Sequence, residues 1–204
     1  MTPCHPQQRP NNGVMNIPNI NSNLKDHFLI AMPALSDGIF ANSITYICEH
    51  NEQGAMGIVI NHPLDLSLDQ VFHHLEIKDI RSVHQDQILA GGPVHMNRGF
   101  ILHRRTDDEW DSTVHISDQI ALTTSQDILS AMANDQGPRD SLVALGYAGW
   151  AEGQLEHELA ENAWLTLPAD SHIIFNTPIE QRAAAAVAKI GVDLALISPH
   201  AGHS

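Results

Sequence analysis

Short apolar segments separated by turn residues are the feature that most limits how this chain can fold. They are rich in Ile, Val, Leu and Phe and too short for long helices, so they predict β-strands. We expect strands at residues 27–32, 43–49, 57–61, 87–90, 99–103, 114–116, 141–147, 163–167 and 172–175. A chain with so many strands must build its core around a sheet.

Helix signals are fewer. Ser67 and Gln70 have the spacing of a capping box, which predicts a helix that begins after Ser67. Thr177 followed by Pro178 is typical of a helix start, and Gly191 is typical of a helix end. We therefore expect further helices at residues 124–133, 151–162 and 179–190.

The order of these elements mixes hairpins with crossovers and does not alternate strictly between strand and helix. This order predicts an α+β fold with a mixed, mostly antiparallel sheet and disfavours a Rossmann fold. Residues 1–23 are rich in Pro, Asn and Gln and predict a disordered leader. No linker or repeat divides residues 24–204, which we expect to form a single domain.

The charge and the cysteine content exclude several classes of protein. A net charge of −14, from 24 acidic and 10 basic residues, repels phosphate backbones, so direct nucleic-acid binding is not expected. No apolar segment approaches the roughly 20 residues of a membrane span. Cys4 and Cys48 are too few for a disulfide framework, which favours a reducing compartment and a cytoplasmic location.

Four stretches of the sequence together resemble the AlgH/YqgE family. They are residues 27–33, residues 46–61, residues 91–94 with 98–100, and residues 145–150 with 153–156. The resemblance implies a bifurcated sheet that curls into a pseudo-barrel with flanking helices. It implies no agreed enzymatic function. One branch of the family is called a transcriptional regulator of alginate synthesis, but no helix-turn-helix is recognisable here, so any such role is expected to be indirect.

Cys48 and His50 form the sharpest chemical pattern. Residues two apart on a strand share a face, so the imidazole of His50 could approach the Cys48 thiol and lower its pKa. The alternative is a buried, inert cysteine beside a surface histidine. This pair gives a second functional hypothesis, an enzyme or redox sensor that uses a thiolate.

Cofactor and metal motifs are weak. His50, His62, His95 and His103 lack the paired spacing of metal ligands, so no metal site is predicted. The glycines at 91, 92, 146 and 149 lie outside any phosphate-binding motif and indicate tight turns or close backbone contact. No cofactor is therefore expected.

The polar and amphipathic residues within the family-like stretches are the best candidates for a binding surface. They are Asn61, Arg98, Trp150, Gln154 and Glu156. The alternative is an ordinary solvated face with Arg98 in an ion pair. The leading hypothesis is a non-enzymatic binding or adaptor protein for an unknown protein or small-molecule partner.

Overall fold

The computed structural model describes residues 23–33, 35, 38–78 and 80–191. Ten strands and five α-helices lie within these ranges. The strands are β1 (His27–Ala31), β2 (Ile44–Asn51), β3 (Gly54–Val59), β4 (Pro63–Ser67), β5 (Gln87–Ala90), β6 (Val94–Arg104), β7 (Thr113–His115), β8 (Ile120–Thr123), β9 (Ser141–Ala151) and β10 (Trp164–Pro168). The helices are α1 (Leu68–His74), α2 (Gln126–Ala133), α3 (Gln154–Ala160), α4 (Ser171–Phe175) and α5 (Arg182–Lys189). Apart from Asn23, the predicted leader lies outside the described residues, as does Cys4.

The strands form one curled sheet in the order β10-β1-β2-β3-β9-β6-β8-β7, with β4 and β5 attached to its side. Every pairing is antiparallel except that of β5 with β9. The sheet curls into a half-barrel. The predicted α+β class and the mostly antiparallel sheet are therefore confirmed.

The sheet divides along β9. Ala144 and Leu145, in the first half of the strand, pair with β5, whereas residues 148–151 pair with β3. Gly146 lies at this fork with a φ of 73°. A Cβ atom at Gly146 would come within 2.4 Å of the carbonyl oxygen of Gly92, which is closer than real Cβ contacts. Gly146 and Gly92 are thus required by close backbone contact, as the sequence predicted.

The half-barrel packs on both faces of its sheet. Its inner face buries one cluster that includes Phe28, Tyr46 and Ile58. The opposite face near β9 buries a second cluster, in which Trp150 and Leu155 pack beneath α3. A third cluster lies beneath α1 and α2. The candidate site lies at the end of β9, where Tyr147 packs against the first cluster and Trp150 belongs to the second.

Residues 172–175 were predicted as a strand, and this prediction is wrong. They belong to α4, whose N-cap Asp170 accepts a hydrogen bond from the backbone N–H of His172 at 2.7 Å. Ile173 and Ile174 are both buried, so the apolar run suits a strand or a buried helix equally well.

Three predicted helices are shorter than expected, and the first of them, α2, begins at Gln126 instead of residue 124. β9 continues through Ala151, so α3 begins only at Gln154, and Trp150 lies on a strand. A 3-10 helix at Ile179–Gln181 precedes α5, and the Thr177 hydroxyl donates to the carbonyl of His172 instead of capping the helix. Gly191, with a φ of 67°, follows the end of α5 as predicted. The capping box of α1 is also confirmed.

Candidate functional site

A β-bulge separates Cys48 from His50. The pairing of β2 with β3 shifts between Ile47 and Glu49, which leaves Cys48 as the extra residue. Cys48 belongs to the cluster inside the half-barrel, whereas His50 pairs with Ala55 of the cluster beneath α3. The expectation that the two side chains share a face is therefore wrong, because the bulge reverses the alternation of the strand.

The Cys48 thiol is enclosed by the core. Cys48 is only 4% exposed, and its Sγ donates a weak hydrogen bond to the carbonyl of Tyr46 at 3.7 Å. Burial raises the pKa of this thiol well above its ordinary value, because the thiolate would lose its hydration. A thiol in this environment is a poor nucleophile.

We expect Cys48 to resist alkylation in the folded protein. The raised pKa leaves almost no thiolate at neutral pH, and the core blocks the reagent. The measurement is the rate of iodoacetamide labelling against pH in a Cys4→Ser variant, which retains Cys48 as its single thiol. Labelling that appears only with global unfolding supports the burial. A labelling midpoint below the ordinary thiol pKa would contradict it.

His50 links the start of the described chain to α3. Its Nδ1 accepts a hydrogen bond from the backbone N–H of Leu24 at 2.9 Å, and its Nε2 lies 2.8 Å from Oε1 of Glu156. Because Nδ1 is an acceptor, the proton resides on Nε2 and is donated to Glu156. Both ring nitrogens are thus occupied. The two residues are 106 positions apart, so no local sequence signal could have revealed this pair.

Glu158 joins the end of β9 to α3 and β10. Its Oε2 accepts hydrogen bonds from the indole Nε1 of Trp150 at 2.8 Å and from that of Trp164 at 2.7 Å. Its Oε1 accepts from Gln154 Nε2 at 2.9 Å. Phe40 packs edge-on against Trp164, with ring centroids 5.6 Å apart. These contacts fix the position of Trp150.

The five residues predicted as one surface do not all lie together. Trp150, Gln154 and Glu156 cluster at the end of β9 and on α3. Trp150 pairs with Ala55 at the start of β3, whereas Asn61 follows the far end of that strand, roughly 20 Å along it.

Asn61 and Arg98 have separate structural contacts. Asn61 accepts from the N–H of Ile44 and donates to the carbonyl of Asn42, both at 2.9 Å. Arg98 donates to Thr124 at 3.3 Å and lies 5.6 Å above the ring of Phe100. Within the described residues Arg98 forms no ion pair. Asn61 holds two backbone segments in place, and Arg98 covers an aromatic ring.

An open groove of about 510 Å³ runs beside this cluster. Its lining comes from β2, β3, β6, β9 and the turn after β2, and it consists of Glu49, Asn51, Gln53, Gly54, Ala55, Met56, Val94, Tyr147, Gly149 and Trp150. Glu49 is the one residue among these that carries a charge at neutral pH, and it is exposed. The groove therefore combines polar residues, with Glu49 as its single charge, and the apolar or aromatic residues Met56, Val94 and Tyr147.

The histidines considered as metal ligands are dispersed. His103 is buried against Thr123, with its Nε2 2.9 Å from the hydroxyl oxygen, and burial lowers its pKa. His95 packs against Tyr147, and His50 is held by Glu156. Burial also lowers the pKa of His62. Across the residues that the structure describes, no group of three or more His, Cys, Asp or Glu side chains is arranged to hold a metal ion.

None of the helices in the described ranges has the length and apolar character needed to cross a membrane.

The sequence and the fold both have relatives among known proteins. The AlgH-like family model matches residues 28–195. A UPF0301 protein of Saccharophagus degradans is 55% identical over 181 residues, which cover 89% of each chain. A UPF0301 protein of Thioalkalivibrio sulfidiphilus is also 55% identical, over 90% of this chain and 98% of its own.

Two solved structures are similar to this one. The solution structure of the AlgH protein from Pseudomonas aeruginosa matches with a TM-score of 0.74 and 49% identity, over 90% of this chain and 97% of its own. A crystal structure of a Corynebacterium diphtheriae protein, at 19% identity and a TM-score of 0.70, shares the fold over 90% of this chain and 95% of its own. The family match, the sequence identities and the shared architecture agree, and the chain belongs to the AlgH-like family.

Proposed function

We propose that this protein is a non-enzymatic binding protein whose groove beside Trp150 receives a basic segment of a protein partner. The observation that carries the proposal is the open groove of about 510 Å³, which combines apolar and aromatic side chains with one exposed carboxylate, that of Glu49. Its breadth suits an extended chain better than an enclosed small molecule.

The lining of the groove has the chemistry of a protein interface. Met56, Val94 and Tyr147 provide partly buried apolar and aromatic surface, and Met and Tyr are enriched in the centres of interfaces. Met96 follows on the same strand as Val94 and is 63% exposed. Glu49 would attract Lys or Arg of the partner, and no basic residue of the lining opposes it.

The alternative of a thiolate enzyme has less support. Such an enzyme needs a base within hydrogen-bond reach of an accessible nucleophile. Cys48 is buried, and His50 lies on the opposite face of the sheet with both ring nitrogens occupied. The free, buried thiol instead accords with the cytoplasmic location that we propose.

Any regulatory role would act through the protein partner and not through DNA. The net charge of −14 repels duplex DNA. We expect no retardation of duplex DNA by the purified protein, even at low salt. Retardation that weakens steeply with added salt would contradict this route and favour direct binding.

Reversing the charge of Glu49 tests whether a basic segment of a partner binds in the groove. The full chain is used to capture partners from cells of its source, and each captured partner is identified and purified. Calorimetry then measures the affinity of the partner for the unmodified protein, for Glu49→Lys and for Glu52→Lys. Glu49 lines the groove and Glu52 does not, yet both residues are exposed and both substitutions change the net charge equally. We expect Glu49→Lys to weaken binding by roughly fivefold or more and Glu52→Lys to have little effect. Equal effects of the two variants, or no effect of either, would contradict the proposal that the partner binds in the groove.

A further inference from the structure

Arg182 is a buried cation whose acidic neighbour in the described chain, the exposed Glu180, attracts its charge without forming an ion pair. It begins α5 and is only 7% exposed. Its Nε donates to the carbonyl of Thr177 at 3.1 Å and its Nη1 to that of Ile60 at 2.5 Å. No carboxylate oxygen of the described residues lies within ion-pair distance. Buried charges are ordinarily paired, so an unpaired guanidinium is unusual.

The desolvation of Arg182 is not offset by those two contacts. Burial lowers the pKa of the guanidinium to about 10, so it remains charged at neutral pH. A guanidinium has five N–H donors, and two are used within the described residues. The remaining donors have no acceptor among the described residues, which makes them candidates to hold a ligand.

A cavity of about 220 Å³ lies against Arg182, away from the groove beside Trp150. Its walls combine polar and apolar residues, and the apolar side includes Leu89, Met132, Leu142 and Val143, all of which are buried. An apolar cavity of about 150 Å³ can hold benzene, so this one suits a ligand of roughly ten non-hydrogen atoms. Asp86 and Gln87 are exposed residues of the same lining and give it a polar side.

We propose that this cavity binds a small organic monocarboxylate, with its carboxylate on the Arg182 guanidinium and its apolar part against Leu142 and Met132. Arginine binds carboxylates through two parallel hydrogen bonds, and the pairing would neutralise a buried charge that has no ion-pair partner among the described residues. A doubly charged phosphate fits less well, because Asp86 and the net charge of −14 oppose a second negative charge.

Benzoate is the probe for this site, and the readout is the change in backbone amide NMR signals of the full-length protein. We expect saturable changes centred on Leu89, Val143 and Thr177, which line the cavity. Benzyl alcohol keeps the ring without the anion, and inorganic phosphate keeps an anion without the ring, so neither should reproduce them. The proposal is overturned if benzoate causes no such changes, or if either control causes the same ones.

Three variants separate the role of Arg182 in benzoate binding from the effect of the overall charge of the protein. Arg182→Lys keeps the charge but loses the paired geometry, and we expect it to weaken benzoate binding by roughly tenfold. Met132→Phe fills the cavity without altering Arg182, and it should weaken binding even if Arg182→Lys fails to fold. Arg139→Gln removes an exposed cation that does not line this cavity and should leave binding unchanged. Equal weakening by Arg139→Gln, or unchanged binding in Met132→Phe, would overturn the assignment.

Discussion

Gly146→Ala should lower the free energy of unfolding by roughly 3 kcal/mol or more. The φ of 73° at Gly146 is unfavourable for alanine, and this is the smaller part of the effect. The new Cβ would also lie 2.4 Å from the carbonyl oxygen of Gly92 and 3.0 Å from that of Val94. Both neighbours are backbone atoms held by the fork of the sheet, so they can move only if strand pairing is disturbed.

Two other glycines provide matched controls for the backbone and steric effects. Gly153 has almost the same φ, 72°, but no atom within 4 Å of its potential Cβ, so Gly153→Ala should cost only about 1 kcal/mol. Gly99 has open space and no positive φ, so Gly99→Ala should be nearly neutral. Urea denaturation followed by circular dichroism measures all three. If Gly146→Ala were no worse than Gly153→Ala, the close contact at the fork would not limit stability.

The fork also connects this prediction to function. Tyr147, Gly149 and Trp150, which follow Gly146 along β9, all line the groove. A local opening of the fork in Gly146→Ala would therefore displace groove residues. Substitutions in the cluster beneath α1 and α2 should, by contrast, lower stability without changing the groove.

Eight of the ten strands were predictable because their apolar residues follow local rules, but β4, β8 and the arrangement at Cys48 were not. Strand alternation correctly placed Ile44 and Tyr46 on the inner face, together with Cys48. The one-residue bulge then turned His50 to the other face. Nothing in the local sequence specifies a bulge, because it depends on how β2 matches its neighbour β3.

The candidate site, too, could be predicted only in part from the sequence. The sequence indicated Trp150, Gln154 and Glu156 through their family-like stretch, but it ended the strand at residue 147, because β9 continues further than its apolar run. The partners of these residues come from β2 and β10, far along the chain. Likewise, the sequence analysis did not indicate Arg182, which lies in the Ala-rich helix α5. Its burial against Ile60 follows from how α5 packs on the half-barrel.

Glu158→Ala should lower the free energy of unfolding by roughly 2–4 kcal/mol, although the residue is only half-buried. The substitution leaves the indole N–H groups of Trp150 and Trp164 without their acceptor. Both rings are buried, so water cannot freely replace the carboxylate. Each unsatisfied buried donor costs about 1–3 kcal/mol, and the loss of the Gln154 contact adds little because that residue is exposed.

Glu161→Ala is the matched control for this prediction. Glu161 follows the same helix and loses the same charge, but its side chain is 63% exposed, and among the described residues its ion-pair partner is the exposed His157, at 3.5 Å. We expect it to change stability by no more than about 0.5 kcal/mol. Urea denaturation followed by tryptophan fluorescence measures both variants, and the emission of Trp150 and Trp164 should also shift in Glu158→Ala. Equal effects of the two variants would mean that charge, and not the two indole hydrogen bonds, sets the contribution of Glu158 to the free energy of unfolding. Packing alone would then hold Trp150 beside the groove.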